Sequence, residues 1–157
     1  MYTSVFDLFK IGIGPSSSHT VGPMKASGLF IQHLISNQLF EKTFVLQVEL
    51  FGSLAFTGKG HHTDKAILLG LSGFTPESLN LQKVEQTIEK INQSKFLTLN
   101  QKRKVFFDPE KHIIINLKET KPAHSNSMEF TAFTEKGEIL TRQLYYSIGG
   151  GFVVSES

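Results

Sequence analysis

The sequence predicts an α+β domain with a mixed or mostly antiparallel sheet and helices packed on one face. Three observations predict it. Helical periodicity is concentrated early, between residues 21 and 93, whereas paired strand-like stretches lie late, between 104 and 147. Strands and helices do not alternate regularly, so a parallel α/β arrangement is not expected. Hydrophobic residues make up 39% of the 157 and Phe alone supplies 14, which suits one packed core and not a disordered chain.

Residues 3–10 predict a short helix, with Thr3 or Ser4 as its cap and Phe6, Leu8 and Phe9 on its apolar side. A polar loop follows over 11–20, pinned by Pro15 and by Pro23 just beyond it. Its Ser16, Ser17, Ser18 and His19 exceed what a helix cap needs and suit a small polar ligand. From 21 to 38, Met24, Phe30, Ile31, Leu34, Ile35 and Leu39 recur at the spacing of one helix face. Thr20 is the expected cap, and Pro23 fits the first turn, where its missing N–H is not needed. The Ser-rich loop is thus delivered to a helix N-terminus, whose free N–H groups and positive dipole end favour an anion such as a carboxylate.

Residues 44–51 alternate as a strand, which 52–56 extend or bend. A second polar loop over 57–64 holds Lys59, Gly60, His61 and His62. It opens a helix through Ala66, Ile67, Leu68, Leu69 and Leu71, with a Thr at the expected cap and Gly70 or Gly73 at its end. Residues 77–93 predict a third helix, with Leu79, Leu81, Val84, Ile88 and Ile91 inward. Residues 104–107 and 112–117 read as a hairpin around Asp108 and Pro109. A third polar loop, 122–127, carries His124 and Asn126, and 128–134 pairs with 139–147. Three glycines and an apolar strand-like piece close the sequence as a junction would. Residues 1–157 are therefore expected to be one domain of a longer enzyme.

A net charge of +2 implies neither nucleic acid nor an anionic membrane as partner, and the cluster Lys102, Arg103 and Lys104 reads as a solvated strand end. Cysteine is absent, which excludes disulfides, thiol nucleophiles and thiolate-bound zinc or iron–sulfur clusters made by this chain alone. No apolar run approaches the ~20 residues of a membrane span, and the first residues lack the features of a signal peptide. The expectation is a cytoplasmic protein.

Several motifs fail on inspection. Gly12 and Gly14 begin a dinucleotide fingerprint that lacks its third Gly and its preceding strand. The run from Gly52 to Lys59 is one residue too long for a phosphate-binding loop, and Gly60 replaces the hydroxyl that would bind magnesium. Adjacent serines and His19 rarely face each other as a nucleophile and base must. His19, His61, His62 and His124 lack zinc-site spacing, so no metal ligand is assigned. His33 on a helix face and His112 in a strand read as structural.

His19, His61 and His124 differ, because each sits in a polar loop at an element end, where sites concentrate. A neutral imidazole near pH 7 can act as a general base. Lys59 and helix N-terminal amides can hold a carboxylate, and Asn126 and the serines can bind an amine or a hydroxyl. Together they suit a small zwitterion.

The stretches 4–26, 54–64, 124–128 and 145–152 resemble the iron–sulfur-dependent bacterial L-serine dehydratases, or L-serine ammonia-lyases. The resemblance spans nearly the whole chain and is to the β domain, the N-terminal part of the single-chain enzymes. It implies a fold similar to the allosteric substrate-binding domain of some phosphoglycerate dehydrogenases. It also implies a catalytic α domain elsewhere in the same chain, carrying the cysteines of a [4Fe–4S] cluster, and a homodimer. The implied reaction converts L-serine to pyruvate and ammonia without pyridoxal phosphate. The cluster's open iron acts on the serine hydroxyl, a base removes the α-proton, and the resulting aminoacrylate hydrolyses. Carried onto this chain, Ser16, Ser17, Ser18, His19 and Thr20 bind the serine carboxylate or amine. Lys59, Gly60 and His61 lie beside the Cα–H bond with His61 as base, and His124 and Asn126 orient the substrate. The family often has Gly where His62 stands, and Glu between the counterparts of His124 and Asn126. The base remains open between His61, His19 and His124. A regulatory domain that senses serine or an anion without catalysing would use the same residues.

Overall fold

The computed structural model describes residues 19–56, 62–119, 126–149 and 152–155. The expected helix over 3–10 and most of the three polar loops lie outside the described residues. Within them the chain forms α1 (Val21–Ser36), β1 (Val45–Gly52), a single helical turn α2 (Ser53–Phe56), α3 (Thr63–Leu71) and α4 (Leu81–Ser94). There follow β2 (Phe96–Leu99), β3 (Arg103–Phe106), a turn of helix α5 (Pro109–His112), β4 (Ile113–Asn116), β5 (Asn126–Phe133), β6 (Ile139–Gly149) and β7 (Phe152–Ser155). The expected α+β class with a mixed sheet and helices is the one observed.

The seven-stranded sheet is built outward from β1. One edge of β1 pairs antiparallel with β5, from Val45 opposite Phe133 to Gly52 opposite Asn126. Its other edge pairs parallel with β3 at Val45 and with β4 from Val48 to Phe51, so these two short strands lie end to end along it. β2 and β7 are the outer strands. Leu46, Val48 and Leu50 alternate with Gln47 and Glu49, which puts one face of β1 in the core. Phe30, Ile31 and Leu34 of α1, Ile67, Leu68 and Leu71 of α3, and Ile91 of α4 pack into that same core with Phe130 and Met128 of β5.

The hairpin expected of 104–107 and 112–117 is not formed. Its first half pairs instead with β2, a strand missed in the sequence, through a turn in which Asn100 and Gln101 have φ of 54° and 58°. Such a turn usually announces itself as Asn-Gly, and here Gln holds the second position. Asp108 and Pro109 are not a β-turn. The Asp108 carboxylate accepts from the Glu110 N–H at 3.1 Å and Pro109 takes the first helical position, which starts α5. In the helices, Thr20 before α1 and Gly73 after α3 stand where expected, and other details differ. Ile35 and Leu81, expected inward, are exposed. Thr20 holds the cap position of α1 without a side-chain cap hydrogen bond, and His62, not Thr63, precedes α3. Gly70 lies inside α3, and Gly73 at φ +96° follows its end. Asn80, whose side chain accepts from Lys83 N at 3.1 Å, moves the start of the third helix from 77 to Leu81.

Gly70 lies inside α3 for a steric reason. A Cβ there would stand 2.5 Å from the Met24 carbonyl oxygen and 2.7 Å from Ser27 Cβ, so α3 rests directly on the backbone of α1. Gly70→Ala is expected to lower unfolding free energy by about 1–3 kcal/mol, the cost of overpacking a filled interface, despite Ala's higher helix propensity. Urea unfolding of the two variants measures it, and an unchanged or raised midpoint would show that α1 and α3 are not so closely packed.

Candidate functional site

β1 ends at Gly52 beside Asn126, the first residue of β5. Gly52 has φ +61°, a backbone form that suits glycine, and it turns the chain from the strand into α2. The next residue, Ser53, donates from its hydroxyl to Asn126 Oδ1. The His19 imidazole hydrogen-bonds the Ser53 backbone. The Thr63 hydroxyl, fully buried, donates to the His19 carbonyl at 2.7 Å. His19, Ser53, Thr63 and Asn126 therefore form one linked group. His19 borders the first polar loop, Ser53 and Thr63 stand to either side of the second, and Asn126 ends the third.

The surroundings are polar but buried. Thr20, Ser127 and Ser147 are each almost fully enclosed at this end of the sheet. Burial lowers the His19 pKa from its ordinary 6.5, and the hydrogen bond with the Ser53 backbone opposes that shift. The imidazole is thus held in its neutral, proton-accepting form at pH 7. His62 borders the same loop. Its backbone is left-handed, at φ +79°, and its Nδ1 is buried with no hydrogen-bond partner among the described residues.

Of the residues expected in the site, His19, Thr20 and Asn126 are described, and the structure gathers them at one end of β1. Ser16, Ser17, Ser18, Lys59, Gly60, His61 and His124 lie outside the described residues. Ser53 and Thr63 were not expected in the site. The only signals for them were a hydroxyl directly after a strand-ending glycine and a Thr that looked like a helix cap. His33 and His112 behave as structural groups. The first hydrogen-bonds the Thr141 hydroxyl at 2.8 Å, and the second accepts the Asp108 N–H at Nδ1 at 2.8 Å.

The fold and this cluster define an α+β domain that presents polar residues from three loop borders at one end of its sheet, an arrangement suited to contacting a small ligand. The chain belongs to the serine dehydratase beta chain family, whose model matches residues 4–157. It is 48% identical over 155 residues to an L-serine dehydratase of Haemophilus influenzae, covering 98% of this chain and 34% of that protein. It is 45% identical over 153 residues to the L-serine dehydratase TdcG of Escherichia coli, with the same two coverages. It is 42% identical over 156 residues to an L-serine dehydratase of Streptomyces coelicolor, covering 99% of this chain and 34% of that protein. The chain spans about a third of the length of the curated relatives it matches. Among the described residues, no helix is long and apolar enough to cross a membrane.

The folded chain accepts a proton at His19 less readily than the unfolded chain, so this residue costs no stability above pH 6.5 and costs progressively more as pH falls below it. Burial shifts His33 and His112 in the same direction. An NMR titration is expected to place the His19 midpoint below 6.5, and a midpoint at or above that value would mean the imidazole is solvated.

Proposed function

We propose that this chain is the substrate-contacting domain of an L-serine dehydratase, which converts L-serine to pyruvate and ammonia. The observation that carries this reading is the hydrogen-bonded group of His19, Ser53, Thr63 and Asn126, which borders all three histidine-bearing loops. Membership of the family supports the choice of substrate. In the proposal Ser16, Ser17, Ser18, Thr20 and Lys59 hold the serine carboxylate. His124 and Asn126 orient the amine and hydroxyl, and Gly60 lets the backbone approach. His61 takes the α-proton as the hydroxyl departs, and the aminoacrylate so formed hydrolyses.

The chain has no cysteine. In the proposal the [4Fe–4S] cluster, which thiolates would hold, belongs to a separate catalytic α domain. Phe56, Leu117 and Ile148 are 71%, 59% and 49% exposed. All three lie at the end of the sheet where β1 meets Asn126. In the proposal these exposed side chains contribute to docking against that second domain. We further propose that the complete protein is a cytoplasmic homodimer and needs its α domain for turnover.

Kinetics of histidine variants in the complete enzyme test the proposal. His61→Ala is expected to lower kcat by roughly 10²–10⁴-fold with little change in KM, as loss of a general base does. Turnover that survives His61→Ala, with only its dependence on serine altered, would make this a regulatory domain instead.

A further inference from the structure

An open cleft lies away from the loop cluster, and what it binds does not depend on the reading above. β3 stands beside Val45 at the start of β1, whereas the cluster stands at Gly52 at its end, seven residues or about 23 Å along the strand. Between α4 and the outer strand β2 is an open cleft of about 410 Å³. Lys83 and Lys90 line it from α4, two turns apart on one stripe, with Thr87 between them. Lys104 lines it from β3, where it pairs across the hairpin with Thr98, and its Nζ stands 4.7 Å from the centroid of the Phe96 ring.

The charge in this cleft is one-sided. Its lining contains no Asp or Glu. The carboxylates of α4, Glu85 and Glu89, line a separate groove on the other flank of the helix. Among the described residues, none of the three lysines is in an ion pair. Three like charges facing one cleft repel each other, and an anion bound between them relieves that repulsion. Lysines act as point charges toward phosphate, and the neighbouring threonine hydroxyls add neutral donors. A phosphate monoester carries about −1.5 to −2 at pH 7, which three lysines can compensate. Phe74 and Phe96 supply apolar ring surface in the same cleft.

We infer that this cleft binds a phosphorylated small molecule carrying a planar ring, of the nucleoside monophosphate class. Isothermal titration of the protein in its native assembly, with AMP, ribose 5-phosphate and adenosine as probes, tests this. AMP is expected to bind, and the other two at least tenfold more weakly. Lys83→Gln and Lys90→Gln each remove an exposed charge without touching the core and are expected to weaken AMP about tenfold. Lys65→Gln, on the far groove, is expected to leave AMP binding unchanged. Absence of AMP binding, or an equal loss with Lys65→Gln, overturns the site. Ribose 5-phosphate binding as tightly as AMP overturns the role of the ring, and adenosine doing so overturns that of the phosphate.

Discussion

The hydrogen bond from the Thr63 hydroxyl to the His19 carbonyl ties the first residue of α3 to the residue that leads into α1. Thr63 is buried, and a buried hydroxyl left without a partner costs about 1–3 kcal/mol, so this contact constrains both helix starts. A second contact fixes the other end of α3, where Gly70 lets the helix rest on the backbone of α1 near Met24 and Ser27. Two points of attachment set one helix against the other. From the first of them the chain of hydrogen bonds runs through His19 and Ser53 to Asn126, at the corner where β1 and β5 meet. The borders of three loops that are far apart in sequence are thereby held to one place.

α3 also joins the two regions proposed to bind ligands. Thr63 at its start belongs to the loop cluster, and Ser72, directly after its end, lines the lysine cleft. The two regions differ in physical character. The cluster is half-buried, polar and histidine-bearing, which suits recognition of a small zwitterion. The cleft is open and cationic, and its attraction for an anion is correspondingly sensitive to salt.

Much of this was legible in the sequence where one physical signal dominated. The apolar spacing of Phe30, Ile31 and Leu34 gave α1, and alternation gave β1 and the pair β5–β6. The hairpin of β2 and β3 was hidden because a left-handed turn at Asn100 and Gln101 lacks its usual glycine, and Asp108 with Pro109 suits a helix start as well as a β-turn. For the site, glycines and serines around each histidine marked the three loops. Ser53 and Thr63 left little mark, because a hydroxyl that bonds across the fold looks locally like any other. The φ of +79° at His62 was equally invisible, because nothing in the local sequence calls for a left-handed residue there.

If the three loop borders make one site, a small ligand must perturb all of them together. Backbone amide shifts of the complete protein, followed by NMR as L-serine is added, test it most directly. The amides of His19, Ser53, Thr63 and Asn126 are expected to move together with a single apparent Kd, while those of Lys83 and Lys90 stay still. Movement of only one border, or movement confined to the lysine cleft, would contradict it.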